Sequence, residues 1–467
     1  MKMWSGRFGQ PLDPEFERWQ RSFGFYRRLL SWELEGSAAH ARALKNAGII
    51  SGDELISMLQ GLQHLGEQAA ASGTFLEDAE AEDVHHFVEK QLVGLIGEVG
   101  YKLHSGRSRN EQIATDLRLY VRAAIDQLRH ELGDLCETLA QRAEEAGDFA
   151  MPAYTHLQPA EPVLVAHWLM AYTEMFLRDA DRLADCRRRL NVCPLGSGAV
   201  AGATLALDRN LMAESLGFDA PTANSIDATS DRDFALEFVN SLTPLAIHLS
   251  RWAEEMIIFS SREYSFIDLP EAYSTGSSAM PQKKNPDLLE LVRGKSGRVL
   301  GHAAALMITM KGLPLAYNKD LQETQEPLFD AADTLLQMLP LVTGWMRGVK
   351  FNEERMQAAA QTGFMNAWAA ATYLVKRGVP SRLAHERIGK AVQLCLEKRC
   401  ELQDLKLEEL RAISPAFGED FYEALTLASV LAVHDVHGGT APARVRQAIH
   451  AVRKKIELLR EGIHAHA

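Results

Sequence analysis

The sequence predicts an all-α protein: a long central helical bundle flanked by two smaller helical domains. Three observations predict it. Five segments carry helical periodicity far beyond the roughly 11–12 residues of an average helix. No strand-rich region competes with them, and several are apolar around much of their circumference.

The clearest segment runs from Glu111 to Ala146. Ile113, Leu117, Val121, Ala124, Leu128, Leu132, Leu135 and Leu139 recur at three- and four-residue steps, the spacing of one helical face. At 1.5 Å per residue this is a rod of about 50 Å. Pro162 to Leu190, Asp231 to Tyr264, Pro286 to Lys311 and Gln322 to Arg347 follow. Pro162 and Pro286 stand where a first helical turn tolerates proline, whereas the internal Pro244, Pro327 and Pro340 predict kinks or breaks. Stretches such as VLVAHWLMAYTEMF and LTPLAIHLSRWAEEMIIF need burial on several sides. One chain would struggle to cover them, so the bundle is expected to be shared between subunits.

The flanks differ from the centre. Residues 1–108 hold shorter helical patterns broken by glycine and acidic turns, and residues 362–467 form short helices ending in a Lys/Arg-rich one. The expected division is therefore an N-terminal domain 1–108, a long-helix domain 109–361 and a C-terminal domain 362–467, without internal repeats or low-complexity linkers.

With 46% hydrophobic and 24% charged residues, the balance is that of a globular protein. A net charge of -12 argues against a nucleic-acid partner, whose phosphates need clustered Lys and Arg. The five cysteines are scattered, odd in number and without a CxxC pair, which suggests neither a disulfide framework nor a thiolate zinc site and reads as reduced thiols in cytosol. The start MKMWSGRFGQPLDPEF has no apolar signal region, and no run of 18 apolar residues follows. A cytoplasmic protein away from membranes, with a small molecule or a protein as partner, is expected.

Four polar segments interrupt the long helices, and function is sought there. His104-Ser105-Gly106-Arg107-Ser108-Arg109-Asn110 leads into the longest helix, where guanidinium groups and free N–H groups can bind carboxylates. A helix cap with solvated arginines explains the same residues. Tyr154-Thr155-His156-Leu157-Gln158-Pro159-Ala160-Glu161-Pro162 offers a histidine able to exchange a proton near neutral pH, although a lone histidine is more often structural. His85, His86, His167, His248 and His302 are read as structural. Ser274 to Pro286 joins a Gly/Ser turn to two lysines and an amide before a helix start, a set that can surround developing negative charge. A plain linker seldom needs Met-Pro-Gln-Lys-Lys-Asn-Pro in one run. Tyr317-Asn318-Lys319-Asp320-Leu321-Gln322 is weak by itself, since a turn and a helix cap would explain it.

No GxGxxG after a strand, no GxxxxGK[ST] and no paired metal-ligand pattern appears, so neither cofactor nor metal is expected. Serine, histidine, lysines and carboxylate-binding arginines suit proton abstraction beside a carboxylate followed by loss of a leaving group. A Ser/His hydrolase is the other chemistry they could serve, but the G-x-S-x-G elbow and α/β pattern are missing.

Gly276-Ser277-Ser278-Ala279-Met280-Pro281-Gln282-Lys283-Lys284-Asn285-Pro286 resembles the G-S-S-x-M-P-x-K-x-N-P signature of the fumarase, aspartase, adenylosuccinate lyase and argininosuccinate lyase superfamily. Together with Trp4-Ser5-Gly6-Arg7-Phe8, Gly106 to Asn110, Thr155 to Pro159 and Tyr317 to Asp320, it resembles the argininosuccinate lyase branch, in family order and across nearly the whole chain. The resemblance implies a homotetramer with a shared twenty-helix core, each active site drawn from three subunits, and argininosuccinate as substrate. It implies that Ser277 is the general base, with Ser278 adjacent, and that Lys283 and Asn285 stabilise the carbanion. His156 then protonates the leaving guanidino nitrogen, and Glu290 holds the imidazole. Ser22, Asn110, Thr155, Tyr317 and Gln322 match substrate contacts, with Arg107 and Arg109 near the succinyl carboxylates. Gln325 stands where many relatives have a substrate-binding lysine, so a hydrogen-bond donor remains but a charge is missing. A sibling lyase with another fumarate-yielding substrate, or a silent structural protein of the same fold, are the competing readings.

Overall fold

The computed structural model describes residues 9–77 and 80–464 of the chain; the Trp4–Phe8 block lies outside the described residues. Its centre is five long helices, Arg109–Ala146, Val165–Leu190, Asp233–Ser260, Asp287–Met310 and Gln325–Gly348, here called the first to fifth bundle helices. The all-α class holds, with four short two-stranded ladders among the connections.

The first bundle helix begins two residues before the expected Glu111 because Ser108 and Glu111 form a capping box. Glu111 Oε1 accepts from Ser108 N at 3.0 Å, and its Oε2 accepts from Gly198 N at 2.9 Å, which ties the cap to a neighbouring loop. The second begins at Val165 rather than Pro162. Ala150–Thr155 pairs antiparallel with Gln158–Leu164, and Pro159 and Pro162 favour extended backbone in the residues before them. Periodicity alone did not separate that strand from the helix behind it. Pro244 and Pro340 lie inside continuous helices, contrary to a break, while Pro327 falls in a first turn, where its missing N–H costs nothing. Packing on several sides compensates the lost bonds: Trp252 and Trp345 are fully buried and meet edge to face at 5.1 Å.

One core runs from Phe23 through the bundle to Leu459, so the helices Leu30–Asn46, Gly52–Ala71 and Val84–Ile96 share it. The last helix, Pro442–His464, returns to the first bundle helix. Leu459 packs at Gly133, Arg460 pairs with Asp134 at 3.0 Å, and Arg453 pairs with Glu137 and Glu144. A separate smaller core around Tyr373, Leu374, Ile388, Phe417 and Phe421 lies between these two regions of sequence.

The fourth bundle helix buries only the stripe Leu289, Val292, Ser296, Val299, Ala303 and Leu306. On its other faces Leu291 is 57% exposed and Ile308 64% exposed, beside Leu300 and Met307. An apolar face of that extent marks a contact surface. Among the described residues no helix is long and apolar enough to cross a membrane, and all five cysteines are free thiols.

Candidate active site

The predicted site residues fall into three groups. The first surrounds the start of the first bundle helix. His40 Nε2 donates to the Ser105 carbonyl at 3.0 Å, and burial, with the charge of Arg107 adding, pushes His40 down to about 3. Arg107 turns inward: its side chain is 4% exposed, and Nη1 donates to Ser37 Oγ at 2.9 Å. Arg109 points the other way, with Nη1 3.0 Å from Asp83 and 3.4 Å from Glu82. Asn110 Nδ2 donates to the Ala199 carbonyl at 3.2 Å.

The same acidic pair draws in distant residues. Ser22 N and Phe23 N both donate to the Glu82 carbonyl at 3.1 Å. Tyr317 has Arg232, Asp83, Glu82 and Arg109 as charged neighbours; burial raises its pKa and Arg232 opposes the rise. Gln322 Nε2 donates to the Gln20 carbonyl at 3.3 Å. Ser22, Arg109 and Tyr317 therefore gather around Glu82 and Asp83, and Gln322 reaches the backbone two residues before Ser22. Gln325 opens the fifth bundle helix, buried, with Oε1 unpartnered.

Sequence reasoning missed two parts of this group. Glu82 and Asp83 were visible only as an acidic patch before His85. Arg232 is fully buried, its Nη1 donates to the Asp231 carbonyl at 2.7 Å, and its Nε and Nη2 have no partner. The signal was the charged Asp231-Arg232-Asp233 run at the start of a helix with a long apolar face.

The second group is Thr155 and His156. His156 and Leu157 form the two-residue loop of the hairpin, with φ of 55° and 57°. Such turns usually take Asn-Gly, because a bulky residue in the left-handed region is strained. The strain holds an exposed imidazole at the hairpin tip. Tyr154 anchors the base, its ring 5.5 Å from that of Tyr264 and 6.0 Å from that of Phe259.

The third group is the Ser277 loop. Thr275 pairs with Asn285 and Gly276 with Lys284, closing a hairpin over 277–283. Asp287 in the first turn of the fourth bundle helix clamps it, accepting from Thr275 Oγ1 at 2.7 Å and Thr275 N at 3.2 Å. Asn285 Nδ2 donates to the Gly276 carbonyl at 3.4 Å. Lys284 is bound to Asp268 at 2.6 Å, while Lys283 is exposed: its backbone N donates to the Met280 carbonyl at 3.1 Å, and its ammonium makes no hydrogen bond or ion pair among the described residues. Half-exposed Ser277 accepts at Oγ from Met280 N at 3.1 Å and Ala279 N at 3.3 Å. Glu290 is exposed one turn into the helix. Among the described residues no hydrogen bond or ion pair joins Ser277, His156 and the Tyr317 group, nor Glu290 to His156. One chain presents three parts of a polar site without closing it.

A five-helix bundle whose connecting loops carry this serine, histidine and lysine set is the framework of a lyase, and a family model described as lyase matches residues 6–301. A second model, described as argininosuccinate lyase C-terminal, matches residues 364–432. The argininosuccinate lyase of Koribacter versatilis is 58% identical over 467 residues, covering 100% of both chains. That of Acidobacterium capsulatum is 58% identical over 461 residues, 97% of this chain and 95% of its own. A solved EDDS lyase in complex with formate is 26% identical, with a TM-score of 0.85, and covers 98% of this chain and 93% of its own. The chain belongs to the argininosuccinate lyase family.

Proposed function

We propose that the chain catalyses the reversible β-elimination of argininosuccinate to L-arginine and fumarate, in arginine biosynthesis, as a cytoplasmic homotetramer that uses no cofactor. The observation that carries this reading is the clamped Ser277 loop, which offers a hydroxyl, an ammonium and an amide beside a helix start, in a chain 58% identical to argininosuccinate lyases. Ser277 Oγ takes the proton from the carbon beside a succinyl carboxylate, and the electron pair moves into that carboxylate as an aci-carboxylate. Two N–H donors to Oγ favour its deprotonated form. Lys283, Asn285 and the loop N–H groups stabilise the carbanion.

Collapse of the carbanion forms the double bond of fumarate and breaks the carbon–nitrogen bond. The electron pair leaves with the guanidino nitrogen, which His156 protonates while Glu290 holds the imidazole. Ser22, Arg109, Asn110, Thr155, Tyr317, Gln322 and Gln325 bind the substrate. Arg107, turned inward, serves through the loop it anchors.

The exposed apolar face of the fourth bundle helix and the separation of the three groups support a tetramer with composite sites. The free thiols suit a reducing compartment. The division 1–108, 109–361 and 362–467 belongs to the same reading; the small core around Phe417 supports its last boundary.

The test is fumarate absorbance on mixing the protein with argininosuccinate, followed by reassociation of Ser277→Ala with His156→Ala. The wild type is expected to release fumarate, each variant alone to be nearly silent, and the mixed tetramer to regain activity. A folded wild type that releases none from argininosuccinate but acts on another succinyl substrate would move the assignment to a sibling lyase. Silence of the mixture would sink the composite site.

A further inference from the structure

Beneath the His104–Asn110 loop lies a polar cluster closed off from solvent. Glu33 and Ser37 come from the Leu30–Asn46 helix, His85 from the Val84–Ile96 helix, and Gln112 and Asp116 from the first bundle helix; all are buried. Glu33 collects the donors. Ser37 Oγ lies 2.6 Å from Oε1, Gln112 Nε2 lies 3.2 and 3.3 Å from the two oxygens, His85 Nδ1 lies 2.8 Å from Oε2, and Arg107 Nη2 approaches to 3.9 Å. Asp116 is poor in donors: its Oδ2 has no hydrogen-bond partner, and His85 Nδ1 is 3.8 Å away.

Charge balance decides the protonation. His85 Nε2 has no acceptor, so an imidazolium would bury a charged N–H unmet; the neutral ring with its proton on Nδ1 fits. Arg107 then balances one carboxylate, and a second ionised carboxyl in a dry interior would stand uncompensated. Glu33, His85 and Asp116 also offer ligand atoms within 4.8 Å of one another, but the guanidinium already supplies the cation that a metal would provide.

We propose that Asp116 is a protonated carboxylic acid at neutral pH, donating to an ionised Glu33, and that this pair is the positioning device for Arg107 and the loop 104–110 above it. The electrostatics agree in direction. Burial, then the charge of Glu33, pushes the Asp116 carboxyl well above the usual range. For Glu33 burial acts upward, while the hydrogen bonds donated by His85 and Ser37 and the charge of Arg107 act downward and favour the ionised carboxyl. From Glu33 the chain of contacts runs through Ser37 to Arg107, in the middle of the loop that delivers Arg109 and Asn110. Asp116 and Glu33 are thus positioning residues, acting on substrate binding and not on the proton transfers at Ser277 and His156.

The consequence for kinetics rests on the lyase reading, but the place of the proton does not, so two measurements separate them. Infrared spectra of the full-length protein at neutral pH are expected to contain the carbonyl stretch of a buried carboxylic acid that disappears in Asp116→Asn. In the fumarate assay Asp116→Asn, which keeps a neutral donor, is expected to hold KM within about twofold, whereas Glu33→Gln raises KM about tenfold with kcat nearly unchanged. Ser37→Ala cuts the same chain one step later and should raise KM in the same direction if Glu33→Gln does not fold. A wild type without the acid band, or an Asp116→Asn variant as impaired in KM as Glu33→Gln, overturns the assignment. A wild type inactive on argininosuccinate would defeat the lyase reading and leave the infrared result standing.

Discussion

The Tyr317 end and the Ser277 end of the site are built in opposite ways. Around Tyr317, residues from three other regions of the chain, at 22–23, 109 and 317, converge on Glu82 and Asp83, and a fully buried Arg232 stands behind them. Around Ser277, one short loop is held at its base by a two-residue ladder and Asp287, and its working side chains face outward. The first end is organised before substrate arrives. The second is organised only in its backbone, and its side chains lie exposed on the single chain. Binding and bond-breaking are therefore expected to fail separately.

The largest effect should come from Ser277→Ala. Loss of the proposed general base is expected to lower kcat by about a thousandfold. Substrate affinity and melting temperature should hardly move, because Ser277 contacts only N–H groups of its own loop. Single-turnover fumarate release beside equilibrium binding reads both quantities, and a loss of affinity equal to the loss of rate would erase the contrast between the ends. Arg109→Met is the converse. Removing the guanidinium leaves Asp83 and Glu82 without their shared partner, so KM should rise by roughly 30-fold, equivalent to about 2 kcal/mol, with a smaller change in kcat.

The two ends also differed in how far the sequence revealed them. The Ser277 loop is contiguous, and its residues carry their meaning in order, so the motif from Gly276 to Pro286 could be read directly. The Tyr317 group is assembled from positions as distant as Ser22, Asp83, Arg109, Arg232 and Gln322, and periodicity says nothing about which of them meet. Arg107 and Arg109 look alike in sequence, yet one faces the core and the other Glu82 and Asp83, since the chain turns from loop into helix between them at the Ser108 cap and no apolar pattern fixes either direction. The five helices were legible because each repeats an apolar face many times. The boundary at Val165 was not, because Pro162 reads equally as a helix start and as a strand residue.

Acid should disable the Tyr317 end first. His40 is pushed down to about 3 in the folded chain, from about 6.5 when unfolded, so between those values the unfolded chain holds the extra proton. Stability then falls as pH drops through that window, by about 2 kcal/mol at pH 5 relative to neutral for this one group. His104, lowered to about 4 by burial and the neighbouring arginines, works in the same direction. In His40→Gln the amide can still donate to the Ser105 carbonyl, so denaturant midpoints measured from pH 7 to pH 5 should decline less steeply than in the wild type. Equal slopes would mean that His40 is not the group that links this end to pH.

The smallest effect belongs to the base of the Ser277 loop. Thr275→Val removes the hydroxyl that donates to Asp287 but keeps the shape of the side chain and the backbone N–H bond to the same oxygen. The substitution loses this exposed bond to the carboxylate and the long contact that Asn285 Nδ2 makes to the same hydroxyl at 3.4 Å, and it acts on the angle at which the loop leaves the fourth bundle helix. The expected result is a fall in kcat of about fivefold, with KM and melting temperature unchanged, because none of the binding groups around Tyr317 touches this hairpin. If KM moved instead, the two ends would be coupled through the fourth and fifth bundle helices, and the independence assigned to them would have to be given up.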